Sequence, residues 1–374
     1  MLTERKPSLQ IADGVCYALF AYDVALAIDL TEAERRISAA THRDTLKRTH
    51  RAPKYFEYRP APVRLTQPAE ALTIGTYHSQ PSVDIVLYDF GAILAVYIIP
   101  LTGPFVELLA LSGALYDNEQ LLADSRKRVQ QLCSVIQQAT TRPEIADVVE
   151  DFVTYHIRAF TQPRAAETLC AVYDSEIARI LRAEQALLAE SEVQDALLQR
   201  TSYGTDDVTI VDWNAALVYD REGEDVLAVL EFANVELLEM RFLDQLLDDA
   251  LDQSYQALST RRWRFSASIG RYRTDLQRIA RLQVDSAILF EGVNNVLKLL
   301  GDQYLARVYR LASQRFHLAE WDASILRKLQ TLESIYEKMS DQAANYRTEI
   351  LEWIIILLIA FEIVWPFVSS SVGR

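Results

Sequence analysis

The sequence predicts an α+β fold: a mixed strand and helix N-terminal part, then a long helical C-terminal part with a coiled-coil-like helix and one C-terminal transmembrane helix. Three observations carry this. Short runs rich in aromatic and β-branched residues, bounded by turn residues, recur in the first hundred positions. Helical periodicity dominates after Val226. A 19-residue apolar segment, Ile350 to Val368, has the length needed to cross a hydrocarbon core. The implied divisions are a mixed domain over 1–105, a helical region with one strand pair over 106–228, a long-helix region over 229–349, the membrane segment over 350–368 and a short tail over 369–374.

In chain order, Val15 to Leu30 reads as a strand, with a helix beginning near Thr31, where Thr31-Glu32-Ala33-Glu34 resembles a capping box. Thr41 to Arg64 is rich in Arg, Lys and Pro and reads as loop. Val83 to Ile99 splits into two apolar halves around Asp89-Phe90-Gly91, the pattern of a hairpin with glycine at the turn. Kinases use the same tripeptide to hold magnesium, but a Gly-rich loop and a His-Arg-Asp are both absent, so a turn is the reading. From Glu107 to about Glu192 the spacing is helical, through Val129, Leu132 and Ile136 and then Ile177, Ile180 and Leu181. Val208 to Tyr219 reads as a strand pair, followed by a polar turn over Arg221 to Asp225.

Three helices are expected beyond Val226: Phe232 to Leu258, Thr274 to Leu300, and one from Asp302 that runs unbroken to Pro366. In the third, Leu311, Leu318, Ile325, Leu332, Met339 and Tyr346 recur every seven residues. The second heptad row holds Trp321 and Ile335 but is interrupted by Gln314, Lys328 and Gln342. The pairing stripe is therefore Leu318, Trp321, Ile325, Leu329, Leu332, Ile335 and Met339. It suits a second copy of the chain or another helix of the same copy.

The apolar segment includes Ile354, Ile355, Ile356, Leu357 and Leu358, with Trp353 and Trp365 near its ends, where aromatic belts form. It also carries Glu352 at the edge and Glu362 well inside. An acidic residue at a helix centre costs about 2.5–3.5 kcal/mol, while each Ile or Leu returns about 0.3–0.6 kcal/mol. Insertion then calls for Glu362 to be paired or protonated. A buried oligomer helix and an interfacial helix are the alternatives.

Net charge is −14, which disfavours a nucleic-acid binder except through a local basic patch. One such patch exists: Arg261, Arg262, Trp263, Arg264 and Phe265, then Arg271, Tyr272 and Arg273. It suits anionic lipid headgroups or RNA, or else ion pairs with the acidic helix just upstream. That helix places Asp244, Asp248 and Asp252 at i, i+4 and i+8, with Glu236, Glu239 and Asp249 nearby. A solvated acidic face is the plain reading and a divalent-cation site the sharper one. Cys16, Cys133 and Cys170 form no CxxC and fit a reducing compartment. The five histidines show no metal-ligand spacing, and HExxH, GxSxG, P-loop and GxGxxG patterns are missing. No catalytic residue, metal ligand or cofactor is nominated.

Leu351-Glu352-Trp353-Ile354-Ile355-Ile356, followed by Ile359 and Glu362-Ile363-Val364, resembles the C-terminus of the "required for meiotic nuclear division" family. Ile279-Ala280-Arg281-Leu282 through Val308-Tyr309-Arg310-Leu311-Ala312 is similar to that family's helical region, and Tyr88-Asp89-Phe90-Gly91 to its hairpin. The resemblance implies a C-terminally anchored, non-enzymatic tether or assembly factor. Eukaryotic members sit in the mitochondrial inner membrane and support organelle translation. It supplies no catalytic residues. The leading expectation is thus a membrane-tethered scaffold with the bulk of the chain on the cytoplasmic side. A bacterial inner membrane is favoured, and the mitochondrial inner membrane is the alternative. A soluble oligomer with a buried C-terminal helix is the second reading, and a metal-dependent enzyme using residues 244–252 a distant third.

Overall fold

A computed structural model describes residues 8–41, 47–48, 60–259, 284 and 303–372. The chain divides into two units, Met1–Leu243 with Ala287–Ala323, and Asp244–Ser286 with Ser324–Arg374. The elements run β1 (Gln10–Asp23), β2 (Ala25–Ile28), α1 (Leu30–Thr41), β3 (Lys47–Arg48), β4 (Val63–Pro68), β5 (Thr73–Ile74), β6 (Tyr77–His78), β7 (Ser82–Leu87), β8 (Ala92–Pro104), α2 (Leu108–Leu115), α3 (Glu119–Ile136), β9 (Thr140–Pro143) and β10 (Val149–Phe160). Then come α4 (Ala166–Val172), α5 (Asp174–Leu181), α6 (Glu190–Ala196), β11 (Arg200–Thr201), β12 (Val208–Val211), β13 (Ala215–Tyr219), α7 (Glu224–Ser259), α8 (Gln303–Arg315) and α9 (Leu318–Val372). The α+β class holds.

The first unit is built on a nine-stranded sheet in the order β11-β12-β13-β10-β1-β8-β7-β4-β3. Its ladders among the described residues are antiparallel except β10 with β13. The centre is β1, which pairs with β10 on one side and β8 on the other along most of its length. Residues on both faces of β1 are buried. A strand covered on both sides reads as a nearly continuous apolar run, which is why VCYALFAYD lacks alternation.

One face packs on α3. Cys16, Ala18, Phe20 and Tyr22 join Leu121, Val129 and Ile136 in a single core. Two polar contacts fix the helix there: the Tyr22 and Ser125 hydroxyls lie 2.6 Å apart, and the Tyr97 hydroxyl donates to Asp124 at 2.7 Å. Asn118 caps α3, its side-chain oxygen accepting the Leu121 N–H at 2.9 Å. Replacing Asn118 by alanine orphans that donor, and a loss of about 1 kcal/mol is expected by urea unfolding.

The opposite face carries Leu19, Ala21, Asp23 and Phe152. It is covered by α7 and the end of α8, with the Phe152 and Phe316 rings 5.5 Å apart and edge to face. Every residue from Glu231 to Met240 is buried, so α7 has no solvent side over nearly three turns.

Several expectations are corrected. Residues 140–143 and 149–160 are strands, not helix: β10 is a central strand, and Val149-Glu150-Asp151-Phe152-Val153-Thr154-Tyr155 carries the β-branched and aromatic content that makes it one. The cap of α1 is Asp29, whose Oδ1 accepts the Glu32 N–H at 3.0 Å, two residues before the expected Thr31. The third helix is broken at His317, which has φ 53°, so α8 and α9 are separate, and α9 continues past Pro366. The segment between β7 and β8 turns through Gly91 at φ 106°, where a Cβ would meet the Ala25 carbonyl oxygen at 1.7 Å. Most of residues 41–59, and the helix expected over residues 274–300, lie outside the described residues.

Candidate functional site

Three groupings stand out. In the second unit, α9 is a single helix from Leu318 to Val372, counting its start in the first unit. Its heptad residues Leu318, Ile325, Leu332 and Ile335 are buried within one copy of the chain, while Trp321 and Leu329 are half-buried. Lys328, which interrupts the second heptad row, reaches Asp244 and Asp248 on α7 at 2.7 Å each. The expected acidic face therefore has a lysine partner. Among the described residues, no group of three or more His, Cys, Asp or Glu is placed to hold a metal ion. Farther along α9, Leu351, Trp353, Ile354, Ile355, Ile356, Leu357, Leu358, Ile359 and Phe361 are each 46–65% exposed, and Glu352 is exposed with them. These residues point to every side of the helix. The side chains of Met339, Glu362 and Trp365 lie outside the described residues, as do Arg261, Arg262, Trp263, Arg264, Arg271 and Arg273. Among the described residues, no helix is long and apolar enough to cross a membrane. Of the apolar segment, the side chains of eleven residues, 351–361, are described.

The second grouping is a set of buried acids on α7 in the first unit. Glu236 and Glu239 are buried, which corrects their assignment to a solvated acidic face. The apolar neighbours Val235, Leu237, Leu238 and Met240 surround the helix on all sides and draw its acids inward. Glu231 is paired with Arg64 of β4, whose other neighbour is Asp84 of β7 at 3.5 Å. Glu236 accepts the Tyr309 hydroxyl at 2.7 Å; burial nevertheless pushes its carboxyl up to about 8. Glu150 of β10 accepts from Arg241, and burial raises it to about 7 against that cation. Asn234, fully buried, has no hydrogen-bond partner for either side-chain atom among the described residues.

The third grouping lies at the β12–β13 turn. Asp212 is 1% exposed and is gripped by two guanidiniums: Arg182 Nε at 3.0 Å and Arg315 Nε at 2.7 Å. Both arginines also reach Asp195, at 2.6 Å and 2.9 Å, and Arg182 contacts Glu192. Arg315 stacks over Trp213, whose ring lies 5.0 Å from His317. This network borders an open cavity of about 560 Å³ lined by Tyr116, Arg182, Glu192, Asp195 and Trp213. Its chemistry is that of a charge clamp holding the α8–α9 corner against the sheet edge. Sequence reasoning missed it, since Asp212 and Arg315 are 103 positions apart and neither sits in a motif. Two other cavities, of about 580 Å³ beside Cys170 and Arg200 and about 250 Å³ between Tyr203, Tyr304, Asp207 and Asp220, also open to the surface.

The comparisons with known proteins bear on the first unit. A protein of Methanocaldococcus jannaschii, "Uncharacterized protein MJ0711", is 23% identical over 220 residues, covering 56% of this chain and 65% of that protein. This chain thus spans somewhat less than two thirds of that relative's length. No solved structure matches. A family model described as "Uncharacterized protein MJ0711, N-terminal domain" matches residues 13–225, more than half of the chain. The match begins within β1 and ends two residues into α7, so it takes in nearly the whole sheet and α1–α6. The chain belongs to this MJ0711 N-terminal domain family.

Proposed function

We propose that the chain is a membrane-anchored scaffold: α9 enters the bilayer, and the sheet domain is the part presented to a protein partner. One observation carries this reading. Nine large apolar side chains between Leu351 and Phe361 are each 46–65% exposed, and they point to all sides of a helix. Fully burying each such side chain is worth about 1.5–3 kcal/mol, and hydrocarbon supplies that burial from every direction at once. The described stretch alone spans about 16 Å, and the sequence segment Ile350 to Val368 about 29 Å, close to a hydrocarbon core. The resemblance to the meiotic-nuclear-division family supports the same assignment and suggests a translation-related partner. The second reading, a soluble oligomer that buries the same side chains in its core, draws on Glu362, an acid well inside the apolar segment that is costly to place in hydrocarbon.

Flotation of the full chain with phospholipid vesicles, after an alkaline wash, separates the two. The wild-type chain is expected in the floating fraction. The Ile355→Arg/Leu358→Arg variant adds about 5–7 kcal/mol to insertion and is expected at the bottom of the gradient. A wild-type chain that stays at the bottom as a detergent-free oligomer, and becomes monomeric in the variant, sinks the anchor and favours the oligomer.

A further inference from the structure

We propose that Asp23 and Glu239 form a proton-operated lock between the sheet and α7. Asp23 is the last residue of β1, and Glu239 lies on the buried stretch of α7. They are 4% and 2% exposed. The two carboxyl groups act on each other electrostatically, and neither Glu239 oxygen has a hydrogen-bond partner among the described residues. The charged groups around them offer no relief. Glu144, from the segment between β9 and β10, adds another negative charge beside Asp23. Glu150 on the neighbouring β10 is matched by Arg241 of α7, which leaves that cation committed. Among the described residues, no Lys, Arg or His pairs with Asp23 or Glu239.

Two neighbouring carboxylates, buried and without a cation, cannot both be ionised. The junction therefore closes only while it holds at least one proton, which the open or unfolded chain releases to water. Burial is the main force raising both groups; Asp23 raises Glu239 further, whereas Glu239 lowers Asp23 and Glu144 raises it. The sign follows. The closed state binds more protons than the open one above the ordinary carboxylate range, so rising pH favours opening. What opens is the contact of α7 with β1, which at this level also rests on the apolar packing of Val235, Leu238 and Leu243 and on the Arg241–Glu150 and Tyr309–Glu236 contacts. Residues 13–225 carry the family match, so the lock sits where the family domain meets the helix that leads onward to the C-terminal part.

The test is hydrogen exchange of amides 229–243 in the full chain in detergent micelles, corrected for the intrinsic pH dependence of exchange. A one-proton linkage changes the open-to-closed ratio tenfold per pH unit while the closed state alone is protonated. Wild-type protection is expected to fall at least about tenfold more between pH 6 and pH 8 than that of the Asp23→Asn/Glu239→Gln variant, in which two amides replace the acids. Subtracting the variant removes the background from Glu236 and Glu150. Equal loss of protection in the two proteins overturns the lock. If the double variant does not fold, infrared difference spectra of the wild type against Glu239→Gln decide the matter. A protonated-carboxyl band at pH 6 that the substitution abolishes supports the lock, and the lack of any such band overturns it.

Discussion

Replacing Asp212 with alanine is expected to cost about 3–5 kcal/mol of folding stability, the scale for removing one partner from a buried ion network. The reason lies in what is left behind. Arg315 is 6% exposed, and its guanidinium would keep only the half-exposed Asp195 as a carboxylate partner. Arg182 would keep Glu192 and Asp195, both on the exposed α6, and lose its one buried acceptor. The converse substitution, Arg315→Ala, leaves Asp212 with Arg182 and is expected to cost less. Urea unfolding of the full chain measures both, and the pair should be non-additive in a double-mutant cycle. A loss below about 1 kcal/mol for Asp212→Ala would mean that the clamp is a surface ion pair in effect.

The Glu236→Gln substitution should stabilise the chain at pH 8 by about 3 kcal/mol and have little effect at pH 5. Burial raises the Glu236 carboxyl to about 8, its hydrogen bond from Tyr309 lowers it, and Asp322 raises it further. The folded state thus holds a proton that the unfolded chain gives up above its ordinary pKa near 4.5. Stability contributed at this position is intact below that value. It is lost progressively as pH rises toward 8, the reverse of the usual acid sensitivity. Glutamine keeps an oxygen to accept from Tyr309 and carries no charge to desolvate. Thermal melts between pH 5 and pH 8.5 check this: the gap between variant and wild type must widen with pH, and a constant gap would remove the titration from the account.

The sequence made some of this readable and hid the rest for physical reasons. Gly91 and its apolar flanks marked the β7–β8 turn because only glycine tolerates that φ beside the Ala25 carbonyl. Lys328 looked like a fault in a heptad row, yet it is the partner of Asp244 and Asp248, which sequence spacing alone had offered to a metal. Strand β10 reads as helix in the sequence because it is covered on both faces over its second half, so its period blurs where Thr154, Tyr155, His156 and Ile157 are all buried. The burial of Glu231, Glu236 and Glu239 was legible in principle, since the α7 sequence from Val226 to Met240 is apolar around the full turn. Their partners Arg64, Tyr309 and Asp23 come from distant strands and helices, and no local pattern announces them. The same holds for Asp212 and Arg315. Charge clamps formed by long-range contacts leave no periodic trace, whereas turns, caps and apolar runs do.

The anchor is tested most directly by expressing the full chain beside a version ending at Arg347 and fractionating both with an alkaline carbonate wash. The account predicts that the full chain stays with the membrane pellet and that the shortened chain, lacking Ile350 to Val368, moves to the supernatant. Recovery of both chains in the supernatant would contradict it, and the exposed side chains of Leu351–Phe361 would then need a protein partner.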